Sequence, residues 1–326
     1  MAMTTTANVA GFLPNFYSKT FLERLTANPI MMQYAIKKPL PQGSGKVVYF
    51  PRMVNSSRMV SAYKITEGTT IAPELIDDLQ LSATIIQIAN AKGIGDLTLA
   101  TAIDTTVEET VKELAAQAAD LIDTQIIEEL YGTSANSLHG INLSTFVVNL
   151  ASSADLGAST STFFNYVGTA EYRMGATTLR QAAKKLKARN VAPLEDGFYV
   201  LVCHSDTAMQ LQADQGWKDA YQYTDAENMR KGVAGVYGGV KVQIDNNIKT
   251  SAYGSAGATL YHSILLGRGA LGVTQLKGGI QTFHKPAGSA GTQDPVDQEN
   301  TWGYKISFVS KTLNISCGLV VVSADA

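Results

Sequence analysis

With 326 residues, 45% of them apolar, the chain is long enough for about two domains and has ample material for a buried core. Its 26 basic and 28 acidic residues leave a net charge of −2, which argues against a free-standing, high-affinity nucleic-acid binder. Only 17% of residues are charged, below the roughly 25% of ordinary globular chains, a deficit expected where surfaces are covered by neighbours.

The opening MAMTTTANVAGF has neither the basic nor the apolar region of a signal peptide, and no run of about 18 apolar residues follows, so neither export nor a membrane span is expected. Phe12, Phe16, Tyr17, Phe21, Leu22 and Leu25 predict one short amphipathic helix stopped near Pro29. So short a helix must dock on something, and it lacks the basic face of an interfacial membrane helix. GSGKVVYFPRM opens a strand at Lys46. In LQLSATIIQI the alternation of Leu79, Leu81, Ala83 and Ile85 with polar residues predicts a second. Joined by about 24 mostly polar residues, the two read as a long flap that needs a surface to lie on.

Residues 104–132 give the strongest helical signal, with Val107, Val111, Leu114, Ala118, Leu121, Ile122, Ile126 and Leu130 on one stripe. Thr105 and Glu108 form a capping box and Gly132 closes the other end, giving a strut of roughly 40 Å. Residues 133–170, rich in Ser, Thr, Ala, Asn and Gly, predict irregular or short-stranded structure. Next come helix TTLRQAAKKLKARN, strand GFYVLV, helix SDTAMQLQAD, strand GGVKVQI and the strand before Gly267, which imply a small mixed sheet with helices packed on it. The C-terminal strands are YKISFVS and TLNISCGLVVV, the latter with Leu313, Ile315, Cys317 and Leu319 on one face. Cys203 and Cys317 sit among apolar residues and read as packed thiols in a reducing cytoplasm.

Gly267, Gly269 and Gly272 have the spacing G-x-G-x-x-G, which cradles a pyrophosphate only where a helix follows. Here Val273 to Leu276 are strand-like, and Gly278-Gly279 should stop the strand, so tightly packed or flexible glycines are expected and a cofactor is not. His204-Ser205-Asp206 has the residue types of a hydrolase, yet consecutive side chains cannot converge as nucleophile, base and orienter. Ser205 or Asp206 is expected to cap the following helix; hydrolysis through Ser205 or His204 is the enzymatic alternative. His139, His262 and His284 have no partner at ligand spacing, so no metal is expected. The pairs Asp77-Asp78, Glu108-Glu109 and Glu128-Glu129 read as solvated charge.

Charge is distributed unevenly. Residues 1–66 hold Lys19, Arg24, Lys37, Lys38, Lys46, Arg52, Arg58 and Lys64 against Glu23 alone. Residues 104–132 hold Asp104, Glu108, Glu109, Glu113, Asp120, Asp123, Glu128 and Glu129 against Lys112 alone. This complementarity suggests an arm and flap laid across the strut of a neighbouring copy. The contact candidates are Lys37, Lys38, Lys46, Arg52, Arg58 and Lys64 on one side, and Glu108, Glu109, Glu113, Asp120 and Asp123 on the other. Pairing within one chain, or plain solubility, is the alternative.

The order of arm, flap, strut, α/β unit and returning strands resembles the α+β HK97-like fold of tailed-phage major capsid proteins. The segments GKVVYFPRM to TEGTTIAPE, AAQAADLIDTQI, GFYVLVCHSD to LQADQGWKDA, GVYGGVKVQIDNNI and QDPVDQENTWGYKISFVSKTLNI are similar to the family of the coliphage N-four major capsid protein. The resemblance implies an N-arm over 1–45, an E-loop over 46–90, a P-domain from 91 to 174 with its spine helix at 104–132, an A-domain over 175–265, and P-domain strands over 266–326. It further implies self-assembly in the bacterial cytoplasm, as pentamers and hexamers, into an icosahedral virion shell around double-stranded DNA. Portal, scaffolding and decoration proteins would be accessory partners, with no membrane and no cofactor. A non-viral, encapsulin-like compartment of the same fold is the alternative.

Overall fold

The computed structural model describes Phe21, residues 29–53 apart from 42 and 44, Glu67, 78–101, 106–131, 173–221 apart from 195 and 196, 235–252, 259–289, Asp294 and 296–324. Most of the expected N-terminal helix, with Lys19, Glu23 and Arg24, lies outside these residues, as do Arg58, Lys64, Asp77, Asp104, Thr105, Gly132, His139 and residues 133–170.

The first elements are β1 (Ile36–Lys37), β2 (Val47–Met53), β3 (Asp78–Thr84), β4 (Ile86–Gly95), the short α1 (Asp96–Thr101) and the long α2 (Thr106–Tyr131). After them come α3 (Ala176–Ala188), β5 (Tyr199–Cys203), α4 (Ser205–Ala213), α5 (Gln215–Tyr221), β6 (Gly235–Tyr237), β7 (Val240–Ile244), β8 (Thr250–Ala252) and β9 (Thr259–Leu266). The chain ends through β10 (Leu271–Lys285), β11 (Glu299–Thr312) and β12 (Gly318–Ala324). One sheet has the order β1-β10-β11-β4, another the order β12-β9-β5-β7-β6 with β8 also on β9, and β2 and β3 form a hairpin-like pair.

α2 forms where the sequence predicts it because its apolar residues recur every three or four positions. Val111, Leu114, Ala115, Ala118, Ile122, Ile126 and Leu130 are buried on one face. Leu121, placed on that stripe by spacing, is instead 36% exposed. The opposite face presents Glu109, Glu113, Gln117, Asp120, Thr124 and Glu128, an exposed ridge with helical spacing. α2 packs on β11 and β4. In the second sheet β5 is buried along its whole length, as its unbroken apolar run Tyr199 to Cys203 requires, and it pairs parallel with β7 and antiparallel with β9.

Three local expectations are corrected. The alternation through Leu79 to Ile85 is not one strand continuing: at Ile85, whose N–H bonds the Lys46 carbonyl at 2.9 Å, the chain leaves β2 and enters β4 on β11. Gly278-Gly279 does not stop β10, which continues to Lys285 past an irregularity in register between Gln275 and Ile280. Residues 313–319 are not one strand, because the Asn314 side chain accepts the Ser316 N–H at 3.1 Å and turns Ile315–Cys317 into a 3-10 helix. β12, beyond that turn, joins β9.

Candidate assembly surface

The glycine motif occupies a junction between sheets. β9 ends at Leu266, and β10 begins at Leu271 in the other sheet, so residues 267–270 make the crossing. Gly269 has φ +84°, and a Cβ on Gly267 would stand 2.5 Å from Val191 Cγ1 and 3.2 Å from the Cys317 carbonyl. A strand follows, not a helix, so backbone packing accounts for these glycines.

His204 itself caps α4: its Nδ1 accepts the Asp206 N–H at 3.3 Å, a role expected of Ser205 or Asp206. Ser205 Oγ lies 3.4 Å and Asp206 Oδ2 3.2 Å from that same nitrogen. A hydrolytic triad places nucleophile and orienting acid on opposite ring nitrogens, so this arrangement does not form one. Stacking on Tyr261 fixes the imidazole, with ring centroids 5.0 Å apart, while the Tyr261 hydroxyl donates to Asp206 Oδ2 at 2.6 Å. Cys203 is fully buried, and burial pushes its thiol up to about 12. Among the described residues no group of His, Cys, Asp and Glu could hold a metal ion, and no helix is long and apolar enough to cross a membrane.

The basic candidates stand on β1, the hairpin and the link between them. Lys37, Lys38 and Lys46 are exposed, and Arg52 lies on β2. Lys38 Nζ donates to the Tyr49 carbonyl at 2.8 Å and lies 5.7 Å over the Phe50 ring, so this lysine tethers the hairpin to β1 within one chain. The hairpin has two unlike faces. Val48 and Phe50, opposite Ala83 and Leu81, pack against Val309 of β11, whereas Val47 and Tyr49, opposite Thr84 and Ser82, remain 38% and 55% exposed. Beside it a groove of about 700 Å³ is lined by Met32, Lys37, Pro39, Leu40 and Leu276.

The acidic candidates divide. Asp123, only 3% exposed, accepts the N–H groups of Ile30 at 2.7 Å and Met31 at 3.2 Å, so it is committed inside its own chain. Burial is the main cause that raises its carboxyl to about 7. Glu109 pairs with Lys112 at 2.9 Å and Glu113 with Lys92 at 2.5 Å. Glu129, read as solvated, is partly buried against Lys311 at 2.9 Å. Glu108 is partly exposed, and Asp120 and Glu128 lie open on the ridge.

The sequence profile of the family described as "Phage capsid protein" matches residues 79–315. The chain belongs to that family. No curated protein matches the sequence. Among solved structures, the cyanophage Pam1 capsid asymmetric unit is similar with a TM-score of 0.67 at 14% identity, over 88% of each chain. The capsid of Ralstonia phage GP4 gives 0.65 at 14% identity, over 90% of this chain and 91% of that one. A virus-like particle from Pyrococcus furiosus gives 0.50 at 10% identity, over 93% and 96%. The fold of this capsid protein is therefore α+β and HK97-like, in a family of structural proteins and not of enzymes.

Charge summed over long segments passed over one surface of the capsid protein. On α3, Arg180, Lys184 and Lys187 are exposed on one side, while Leu179, Ala182, Ala183 and Leu186 are buried on the other. The recurrence of basic residues at steps of three and four was the available signal.

Proposed function

We propose that this protein builds the icosahedral head of a tailed phage, assembling as pentamers and hexamers around double-stranded DNA, in the manner of the coliphage N-four relatives. The reading is supported above all by the hairpin, whose inner face is tied to its own body through Val48 and Phe50 while its outer face leaves Tyr49 55% exposed. An exposed aromatic on a strand pair is stabilised where another copy covers it.

In this reading the hairpin and its connecting residues are the E-loop and residues 1–45 the N-arm. α2 with β4, β10 and β11 forms the P-domain, to whose sheet edge β1 of the N-arm is added, and the six-stranded sheet with α3 to α5 forms the A-domain. The stretch 86–90 then goes with the P-domain sheet, where β4 lies, and β12 with the A-domain sheet. Lys37, Lys46, Arg52, Arg58 and Lys64 face the Glu108, Glu109 and Glu113 end of a neighbour's ridge. Each contact is weak, and repetition over many copies makes the shell stable. DNA contact on the inner wall is non-specific, assembly takes place in the bacterial cytoplasm, and portal, scaffolding and decoration chains are further partners.

Electron microscopy of the purified chain tests this directly. Closed shells with fivefold and sixfold capsomers are expected. A protein that stays monomeric at high concentration and low ionic strength would end the proposal, and shells filled with cargo protein and no nucleic acid would transfer it to a non-viral compartment.

A further inference from the structure

Between Arg173 and Asn190 the chain carries Arg173, Arg180, Lys184, Lys185, Lys187 and Arg189, and no acid. The buried face of α3 fixes where these charges go, since Leu179, Ala182, Ala183 and Leu186 turn Arg180, Lys184 and Lys187 outward as one ridge. Arg180 is held in place with its guanidinium 5.6 Å over the Tyr237 ring. Among the described residues no carboxylate pairs with Lys184 or Lys187. Beyond the helix end, a pocket of about 560 Å³ lined by Arg189, Asn190, Arg268, Asn314 and Ser316 extends the cationic surface. Burial, and then the nearby Arg189, pull the Lys185 ammonium below its usual range. Positive charge is crowded here, and an acidic partner would relieve the repulsion.

The same chain offers such a partner. On the second half of α2, Asp120 and Glu128 are exposed, and among the described residues no lysine or arginine pairs with them. Asp120 and Glu128 are separated by about 12 Å along their helix, and Arg180 and Lys187 by about 10 Å along theirs, from 1.5 Å of rise per residue. The ridges match in length and are opposite in sign. Among the described residues both ridges stay open, and a second molecule can bring them together.

We propose that the basic ridge of α3 docks on the Asp120–Glu128 end of the acidic α2 ridge of a second copy of this chain, a heterologous contact that propagates around a ring. This rests on the shell reading and names one of its contacts. Every copy supplies one ridge of each kind, so the contact can repeat without a leftover surface.

The test is a charge swap in the full-length chain, with the wild type assembled first. Two double variants, Lys184→Glu with Lys187→Glu and Asp120→Lys with Glu128→Lys, are compared with the fourfold combination by circular dichroism, sedimentation and electron microscopy. Each double variant should fold like the wild type yet need about tenfold more protein to form shells, because a weak pair is lost in every copy. The fourfold variant, with both signs exchanged, should recover assembly. Double variants that assemble at the wild-type concentration, or a fourfold variant that stays as impaired as its parents, would overturn the contact. So would a Lys184/Lys187 variant that forms normal shells but loses bound DNA, since nucleic acid would then be the ridge's occupant. Failure of the wild type to assemble would remove the shell reading and this contact with it, whereas unaffected variants beside an assembling wild type remove this contact alone.

Discussion

Asp123 accepts the backbone N–H of Ile30 at 2.7 Å across 93 residues of sequence, and so fixes the chain's approach to β1 against the middle of α2. Met31, fully buried, donates the next bond and begins the 3-10 turn Met31–Gln33. Asp123→Ala leaves the buried Met31 N–H and the partly buried Ile30 N–H without this acceptor, at about 1–3 kcal/mol for the buried group and less for the other. We expect a loss of that order in chemical denaturation, with amide exchange accelerated first over residues 29–41. Unchanged exchange there would mean that the carboxylate does not hold the segment.

Acidity acts on this region in two opposing ways. Asp123 is raised from 3.8 to about 7, so its contribution is complete below about pH 4 and is lost as pH climbs through 7; Asp245, raised mainly by burial, acts in the same direction. His262 is lowered from 6.5 to about 4, chiefly by burial and then by Lys249, so its contribution is complete above 6.5 and is lost as pH falls toward 4. Between about pH 4 and 6.5 the slopes partly cancel. The Asp123→Asn subunit should therefore become more sensitive to acid than the wild type across that window, as thermal melts at a series of pH values would reveal.

The glycine crossing gives a contrast in stability. Gly267→Ala would drive a methyl to 2.5 Å from Val191 Cγ1 and 3.2 Å from a backbone oxygen, and Gly272→Ala would press Leu313 at 2.9 Å. Overpacking of this kind costs about 1–3 kcal/mol. Ser205→Ala, by comparison, removes one hydroxyl at a partly exposed helix start and should leave melting within about 0.5 kcal/mol of the wild type. Equal losses at Gly267 and Ser205 would contradict the packing account.

How much of this was legible in the sequence depends on whether the information was local. α2 was legible because its burial period is written into consecutive residues, and β5 because an unbroken apolar run demands cover on both faces. The exchange of partners at Ile85 was not, since the alternation continues smoothly and only β11 decides where β4 pairs. The role of Asp123 was hidden for the same reason: on the helix it looks like one more acid of a charged series, and its partners are 92 and 93 residues away. Segment charge sums exposed the complementarity of arm and strut but averaged away the ridge on α3.

Reversing charge at Lys37 and Lys38 separates two roles. Lys38 supports the hairpin through the Tyr49 carbonyl, whereas Lys37 is an exposed charge with no such bond among the described residues. We expect Lys37→Glu with Lys38→Glu to block assembly while the subunit remains folded, and Lys38→Met alone to loosen the hairpin, seen as faster exchange over residues 47–53. Raised salt should mimic the double variant in early assembly, because exposed pairs are screened within about 10 Å at 0.1 M. Normal shells from the double variant would remove charge from the docking of this segment.

Tyr49 and Phe50 are adjacent, yet the pleat sends them to opposite sides, which makes them a matched pair for separating folding from assembly. Phe50, 6% exposed, belongs to the small cluster with Val48, Ala83 and Val309 that ties the hairpin to β11. Truncating a buried aromatic costs about 3–5 kcal/mol in a full core, and less here because the cluster is small and lies at the edge of the fold. Phe50→Ala should therefore lower the melting temperature of the isolated subunit and impair assembly as a consequence. Tyr49 contributes little to its own subunit, being 55% exposed, so Tyr49→Ala should leave the melt unchanged. If a neighbouring copy covers that ring, its loss removes buried aromatic area from every hairpin at once, and shells should form only at higher protein concentration. Light scattering of the two variants beside their subunit melts decides the matter, since a Tyr49→Ala protein that assembles like the wild type would show that the outer face of the hairpin is not an interface.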